Sequence, residues 1–298
     1  MNRNHLALFH AVARAGGISR GAELARVSQP AVSKQIKELE EALGIRLLER
    51  LPRGTRLTDG GRLLADYAQR LAALEQEAAR AVEEFRGLKR GRLAIGASTT
   101  IGAYLLPQAL GEFHRRHPDL ELQLEIANTQ AIQRLLLAGT VELGLTEGLM
   151  EAEPLDSKIF HEDELVAIAP RGHRLLKRKH VTVRNLCHEP FVMREEGSGT
   201  RAVVELALRK RRLSVKPVLS LAGTEAVKHA VIAGIGLAIV SRLAIGGELQ
   251  SGSLAVIPVA DLNIRRPLHL QTLRGRPPGP AAARFLTILA SQKPPAGR

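Results

Sequence analysis

The chain has one cysteine, Cys187, so no intramolecular disulfide is available to it, and this fits a reducing compartment. The lone thiol leaves two readings, a small packed hydrophobe or a redox sensor, and only His188 stands beside it in sequence to lower its pKa. No apolar run approaches the roughly 20 residues that cross a bilayer. The N-terminus MNRNHLALFHAVARAGG has neither a long apolar core nor a small-residue cleavage site, so no signal peptide is expected. A soluble, cytoplasmic protein with no membrane partner is the expectation. Catalytic signatures are missing too: there is no G-x-x-x-x-G-K-[ST], no G-x-G-x-x-G after a strand, no G-x-S-x-G and no H-E-x-x-H. His114 and His117 in HRRHPDL enclose Arg115 and Arg116 with no nearby Cys or carboxylate pair, which reads as a solvated helix end rather than a metal site. His161, His173, His180 and His188 are scattered without ligand spacing. Glu195 and Glu196 are adjacent on one loop, a poor layout for an acid and a base on opposite sides of a substrate. Neither an enzyme, a metal nor a cofactor is expected.

Positive charge, by contrast, is plentiful. The formal net charge of +13 over 298 residues favours a polyanionic partner, although a membrane-surface or ribosomal protein shares that signature. Residues 1–56 carry ten Lys and Arg against five acidic residues, and residues 165–216 carry thirteen against four. The second cluster is open to three readings: a solvated basic face, a field that concentrates an anionic ligand, or a further DNA contact.

The segment ISRGAELARVSQPAVSKQIKELEEALGIRLLER, residues 18–50, organises the rest. Two amphipathic patterns, one with Ala22, Leu24 and Ala25 and one with Val32, Ile36, Leu39 and Leu43, flank a tight connection at Arg26, Val27 and Ser28. That is helix-turn-helix spacing. Ser28 can cap the second helix, and Pro30 falls in its first turn, where a missing N–H costs nothing. Pro30, Ala31 and Lys34, with Ser33 and Lys37 on the shoulder, lie opposite the apolar stripe. Gln29 and Ser33 offer hydrogen bonds, Lys34 and Lys37 offer cations, and small Ala31 permits close approach, which suits the major groove of double-stranded DNA. A helical hairpin in some other core has the same geometry.

The wording SQPAVSKQIKELEEALGIRLLER, followed by PRGTRLT, resembles the N-terminal domain of LysR-type transcriptional regulators, in which the second stretch is the wing and the entry to a long linker helix. The resemblance implies that Gln29, Pro30, Ser33 and Lys34 read bases or position the helix in the groove and that Arg53 in the wing touches a phosphate or the minor groove; Ser28, Ala31 and Lys37 complete the expected DNA-binding set.

Leu6, Phe9, Val12 and Ala13 predict a supporting first helix ending at Gly16 and Gly17. Thr58 can cap a long helix running to about residue 88, in which Leu64, Tyr67, Leu71, Leu74, Ala78, Ala81 and Phe85 recur at intervals of three and four. Such a seam, three heptads long, fits a partner helix from a second copy, although a helix lying on its own domain shares it. Pairing by a two-fold axis would present two recognition helices to a roughly palindromic site. The expected domains are therefore a winged helix-turn-helix over 1–58, a linker and dimerisation helix over 59–89, and a third region over 90–298.

In that third region strands alternate with helices, which argues for a parallel sheet covered on both faces. Strands are predicted at 92–97, 120–126, 141–145, near 165, 191–193, 215–221, 237–240 and 267–273. The tail, 292–298, is Pro-rich and reads as disordered. The whole resembles the two-lobed α/β effector-binding domain of the same family, of the periplasmic-binding-protein type, with one lobe at 90–162 and 266–298 and the other at 163–265. The fold class is thus α plus α/β.

A ligand should sit where strand ends meet helix N-termini. Ser98, Thr99 and Thr100 follow one strand, and the loop Arg194 to Thr200 follows another, with Gly197, Ser198, Gly199 and Thr200 offering backbone and hydroxyl donors. Such facing ends suit a small anion, while Glu195 or Glu196 would repel it or hold an amine instead. The resemblance adds Asn128, Thr129, Thr146 and Thr224. It also implies a small-molecule effector, a homodimer or homotetramer, and contact with RNA polymerase. The wording GASTTIGAYLLP, REEGSGTR and GTEAVKHAVIAGIG is similar to the branch concerned with sulfur assimilation and carbon fixation. A solute-binding receptor and an enzyme on a two-lobed scaffold are the alternatives, and the helix-turn-helix separates the regulator from both.

Overall fold

The computed structural model describes residues 2–51, 54–85, 91–148 and 154–292. The chain divides into two compact units, residues 1–86 and 87–298.

In the first unit, α1 (Arg3–Ala15) buries Leu6, Phe9 and Val12 and ends at Gly16 in the left-handed region, φ 71°. Helix α2 (Ile18–Ala25) buries Gly21 and Ala22. A Cβ on Gly21 would meet Val12 Cα at 2.6 Å, so the two helices touch backbone to backbone there. This contact explains why Leu24, expected on the packed face, is 54 % exposed: the crossing point is set by the smallest residues of α2. Helix α3 (Gln29–Leu43) buries Val32, Ile36 and Leu39, whereas Leu43 at its end is exposed. The wing is a hairpin of β1 (Leu48–Leu51) and β2 (Gly54–Leu57). Glu40 ties it to α3 by accepting from Leu47 N at 2.7 Å and Leu48 N at 3.1 Å. Helix α4 (Asp59–Phe85) starts at Thr58, whose Oγ1 accepts from Gly61 N at 2.9 Å.

The second unit continues with β3 (Arg92–Ser98), α5 (Thr99–Tyr104), α6 (Leu106–Arg116), β4 (Glu121–Ala127), α7 (Thr129–Leu137), β5 (Leu143–Glu147) and β6 (Leu155–Pro170). There follow α8 (Val183–Cys187), β7 (Val192–Arg194), α9 (Gly199–Lys210), β8 (Leu219–Leu221), α10 (Thr224–Ile232) and β9 (Ala238–Ser241). The last elements are α11 (Gly246–Ser251), β10 (Leu254–Val256), β11 (Ile264–Leu273) and α12 (Pro280–Ser291). The sheet is mixed rather than parallel. Strands β3, β4 and β5 are parallel, but β11 pairs antiparallel with β5 and β6, and β6 pairs antiparallel with β9 and β10. The reason is that β6 and β11 are long strands running in opposite directions through both lobes. Only the apolar end of β6 has a strand pattern in sequence, because residues 156–164 are mostly polar and exposed.

Two cores follow. The first lobe packs Leu93, Ile95, Phe113, Leu143, Leu268 and Phe285, with α12 returning to α6 through an edge-on Phe113–Phe285 contact at 5.7 Å. The second lobe buries β6 on both faces, Leu165 and Ala167 against Phe191 and Leu237, and Val166 and Ile168 against Val192 and Val231. Asp163 of β6 and Arg266 of β11 are paired in register between these cores. Cys187 is half-buried against the second core, and burial pushes its thiol pKa up, away from a reactive thiolate. Residues 293–298, most of the expected tail, lie outside the described residues.

Candidate functional site

The second helix of the helix-turn-helix presents Ser28, Gln29, Pro30, Lys34 and Lys37 to solvent, with Ala31 and Ser33 half-buried. The turn before it holds Arg26 in the left-handed region, φ 54°. Ser28 stands at the N-cap with extended backbone, but its hydroxyl makes no capping bond. Pro30 at the second helical position removes one of the two N–H groups an N-cap side chain normally binds. Gln29 accepts from Ser19 Oγ at 3.3 Å, which steadies it across the turn. Lys34 and Lys37 lie 3.9 and 3.6 Å from Glu38 and Glu41, exposed pairs one helical turn apart. Pairs of that kind contribute at most a few tenths of a kcal/mol and yield readily to a phosphate. Arg53 lies outside the described residues.

On α4, Leu64 and Ala65 pack with buried Ala68 against Leu6, Phe9, Leu39 and Leu47 of the same unit. Leu64 therefore belongs to the unit's own core, because the first turns of α4 dock there. Tyr67, Leu71 and Leu74 are 53, 43 and 59 % exposed, and Leu63 joins them at 62 %. Ala78 is exposed as well, while the side chains of Ala81 and Phe85 lie outside the described residues.

In the second unit the nominated residues fall into two groups. Thr129, Gly197, Ser198 and Gly199 line a cavity of about 360 Å³ between the starts of α7 and α9, together with Gln133 and Arg201. Asn128 caps α7, accepting from Ala131 N at 3.0 Å, and its Nδ2 donates to Glu196 O at 3.3 Å across the lobes. Gly197 is left-handed at φ 81°. Ser198 Oγ accepts from Arg201 N at 3.4 Å as the cap of α9. Gly199 admits no side chain, since a Cβ would lie 1.9 Å from Glu147 O.

The other group surrounds two buried arginines that sequence reasoning did not single out. Arg194, at the end of β7, is 4 % exposed. Its Nε donates to Glu195 Oε2 at 2.7 Å and its Nη2 to Glu195 Oε1 at 2.8 Å, a bidentate fork. The same guanidinium reaches Thr99 Oγ1 of the first lobe at 3.2 Å and Thr224 Oγ1 of the second at 3.1 Å. Beside Thr99, the hydroxyl of Ser98 is buried with no hydrogen-bond partner among the described residues, and that of Thr100 is buried near Glu147. Arg266, 1 % exposed, binds Asp163 Oδ2 at 2.7 Å, donates to Thr200 Oγ1 at 2.8 Å and lies 3.6 Å from Glu147. Thr129 donates to Glu147 O at 2.9 Å and Thr146 to Gln271 Oε1 at 3.0 Å, so these hydroxyls already serve the protein. Burial pushes the Glu147 carboxyl above its ordinary pKa, against the pull of Arg266 and Arg194. Burial also works on Glu195, but Arg194 outweighs it and holds that carboxyl below its ordinary value.

Tyr104 of α5 adds a contact across the lobes. Its hydroxyl bonds Glu225, its ring lies 5.5 Å from Lys228 Nζ, and burial together with Glu225 pushes its pKa up to about 12. A signal for the buried arginines exists in hindsight. Ile264, Arg266 and Leu268 alternate on one buried face of β11, so the arginine had to point inward. Arg194 ends an apolar strand immediately before a glycine-containing loop.

A winged helix-turn-helix joined in one chain to a two-lobed α/β unit with a buried polar cleft is the build of a DNA-binding transcriptional regulator. Residues 3–62 match the family described as bacterial regulatory helix-turn-helix protein, lysR family, and residues 86–294 match the LysR substrate binding domain. The chain belongs to the LysR family of transcriptional regulators. It is 34 % identical over 287 residues to a RuBisCO operon transcriptional regulator of Allochromatium vinosum, covering 96 % of this chain and 95 % of that one. It is 32 % identical to the HTH-type transcriptional activator CmpR of Synechocystis sp., covering 95 and 92 %. Among solved structures, the regulatory domain of Synechocystis CcmR in complex with 2-PG aligns at 29 % identity and a TM-score of 0.63, over 67 % of this chain and 96 % of that one. Full-length CbnR complexed with its target DNA shares the fold at 22 % identity and a TM-score of 0.68, covering 97 and 99 %.

Proposed function

We propose that this regulator reads double-stranded DNA with the exposed start of α3 and takes a small anionic metabolite between the lobes of its second unit. The observation that carries the ligand reading is Arg194, a buried cation framed by a threonine hydroxyl from each lobe. The relatives support the same class. The CcmR regulatory domain was solved with 2-PG, and the Allochromatium vinosum relative is a RuBisCO operon transcriptional regulator, so a phosphorylated carboxylate is the favoured effector and carbon-fixation genes the favoured output. The exposed stripe Leu63, Tyr67, Leu71 and Leu74 takes a second copy of α4, giving a homodimer that can associate further into a tetramer. Such a protein works in the cytoplasm beside RNA polymerase, and it is not an enzyme. Effector binding shifts an equilibrium between sensor arrangements only as far as its affinity differs between them.

The test is thermal unfolding of the full chain against 2-phosphoglycolate, inorganic phosphate, sulfate and glycolate. A ligand at a hundredfold over its Kd stabilises by about 2.7 kcal/mol. The midpoint of the second unit should then rise by several degrees with at least one anion, and no rise with any of them contradicts the anion reading.

A further inference from the structure

Among the described residues of the second unit two arginines are buried, and their counter-ions differ in one respect. Arg266 is held by Asp163, whose side chain is 1 % exposed, beside Glu147 at 2 %, so this cation and its counter-ion are locked in together. Arg194 is 3 % exposed at its side chain, but Glu195 is 25 % exposed. The cation is buried and its anion is partly open to solvent, on the loop that turns through left-handed Gly197. The remaining partners of the Arg194 guanidinium are neutral hydroxyls, Thr99 and Thr224, one from each lobe. They stay in place if Glu195 leaves.

The Glu195 carboxylate presents two oxygens on one centre to Nε and Nη2. Carboxylates, sulfate and phosphate monoesters offer the same fork to a guanidinium. We propose that Glu195 is a built-in stand-in for the effector's anionic group: the ligand's oxyanion replaces it on Arg194 and so closes Thr99 and Thr224 onto one charge, while Glu195 turns out into water. This rests on the reading of the cleft as an anion site and adds how that site is kept occupied without ligand. Two features bound the exchange. Glu147 lies near Arg194 and opposes an incoming anion unless it is protonated, and burial favours its protonated form. Asn128 also bonds Glu195 and must release it. An empty site of this kind is self-quenched: neutral ligands have nothing to displace Glu195 with, so selectivity for anions arises from the competitor as well as from the cation.

Glu195→Gln should tighten binding, because it removes the competing charge while leaving an oxygen to accept from Arg194. The experiment is isothermal titration of the full chain with 2-phosphoglycolate, inorganic phosphate and glycolate, comparing wild type, Glu195→Gln, Glu195→Ala and Arg194→Gln. Replacing a charge-assisted pair by a neutral one corresponds to an affinity gain of about tenfold or more for both Glu195 variants, and Arg194→Gln should abolish binding. Comparing phosphate with glycolate shows which end of the ligand Arg194 takes. Asp163→Asn, at the locked arginine, should give no gain, and melting midpoints measured alongside identify any variant that fails to fold. Binding to wild type that neither Glu195 variant tightens overturns the exchange alone. Absence of binding to every folded variant and to wild type overturns the anion reading and the exchange with it.

Discussion

The two units handle positive charge in opposite ways. In the first, the side chains of Lys34 and Lys37 are 79 and 77 % exposed and lie beside Glu38 and Glu41 on the surface of α3. In the second, Arg194 and Arg266 are 4 and 1 % exposed and are held by specific hydrogen bonds and ion pairs. An exposed cation costs the fold nothing and binds any phosphate within reach, so its affinity depends steeply on salt. A buried cation must be compensated by the fold, and it selects what replaces the compensation. Affinity for a polymer is thus built from side chains the protein can lose, and selectivity for a small ligand from side chains it cannot.

The sharpest way to break this contrast is Arg266→Met. Removing one member of a buried pair leaves Asp163 uncompensated and costs about 3–5 kcal/mol. Calorimetry should show the transition of the second unit lowered by roughly 10 °C and that of the first unit unmoved. An unchanged second transition would make the pair dispensable.

A smaller effect comes from Glu147. Its folded pKa lies above the ordinary 4.5, so the stability it contributes is present below pH 4.5 and is lost as pH rises through its folded value. Glu147→Gln should therefore gain on wild type as pH rises from 4.5 towards neutrality, and melting curves over that range measure it. A difference independent of pH would remove Glu147 from the account.

The smallest change in stability is expected for Lys34→Ala, within about 0.5 kcal/mol.

The same contrast governs what the sequence could disclose. The apolar stripe Val32, Ile36 and Leu39 and the polar face of α3 are set by spacing within one helix, and both are found where periodicity places them. The choice of Leu24 and Leu64 failed for one reason: small residues, Gly21 in α2 and Ala68 in α4, decide which face comes close, and periodicity weights size rather than approach. In the second unit Ser98 and Thr99 were visible at a strand end, and Thr224 through the family resemblance. The arginine joining Thr99 to Thr224 was not, since Arg194 meets Thr99 from 95 residues away. The mixed sheet escaped for a related reason: residues 156–164 of β6 are paired by β11, which lies about a hundred residues on.

The most direct test is fluorescence anisotropy of the full chain on duplexes selected by the wild type from a random pool and on scrambled duplexes, over a series of salt concentrations. The account predicts that Lys34→Ala weakens binding equally on both and flattens the salt dependence by about one counter-ion. It predicts that Gln29→Ala weakens binding to the selected duplexes alone, by about 1–3 kcal/mol. If both variants bind both kinds of duplex as the wild type does, the exposed start of α3 is not the surface that reads DNA.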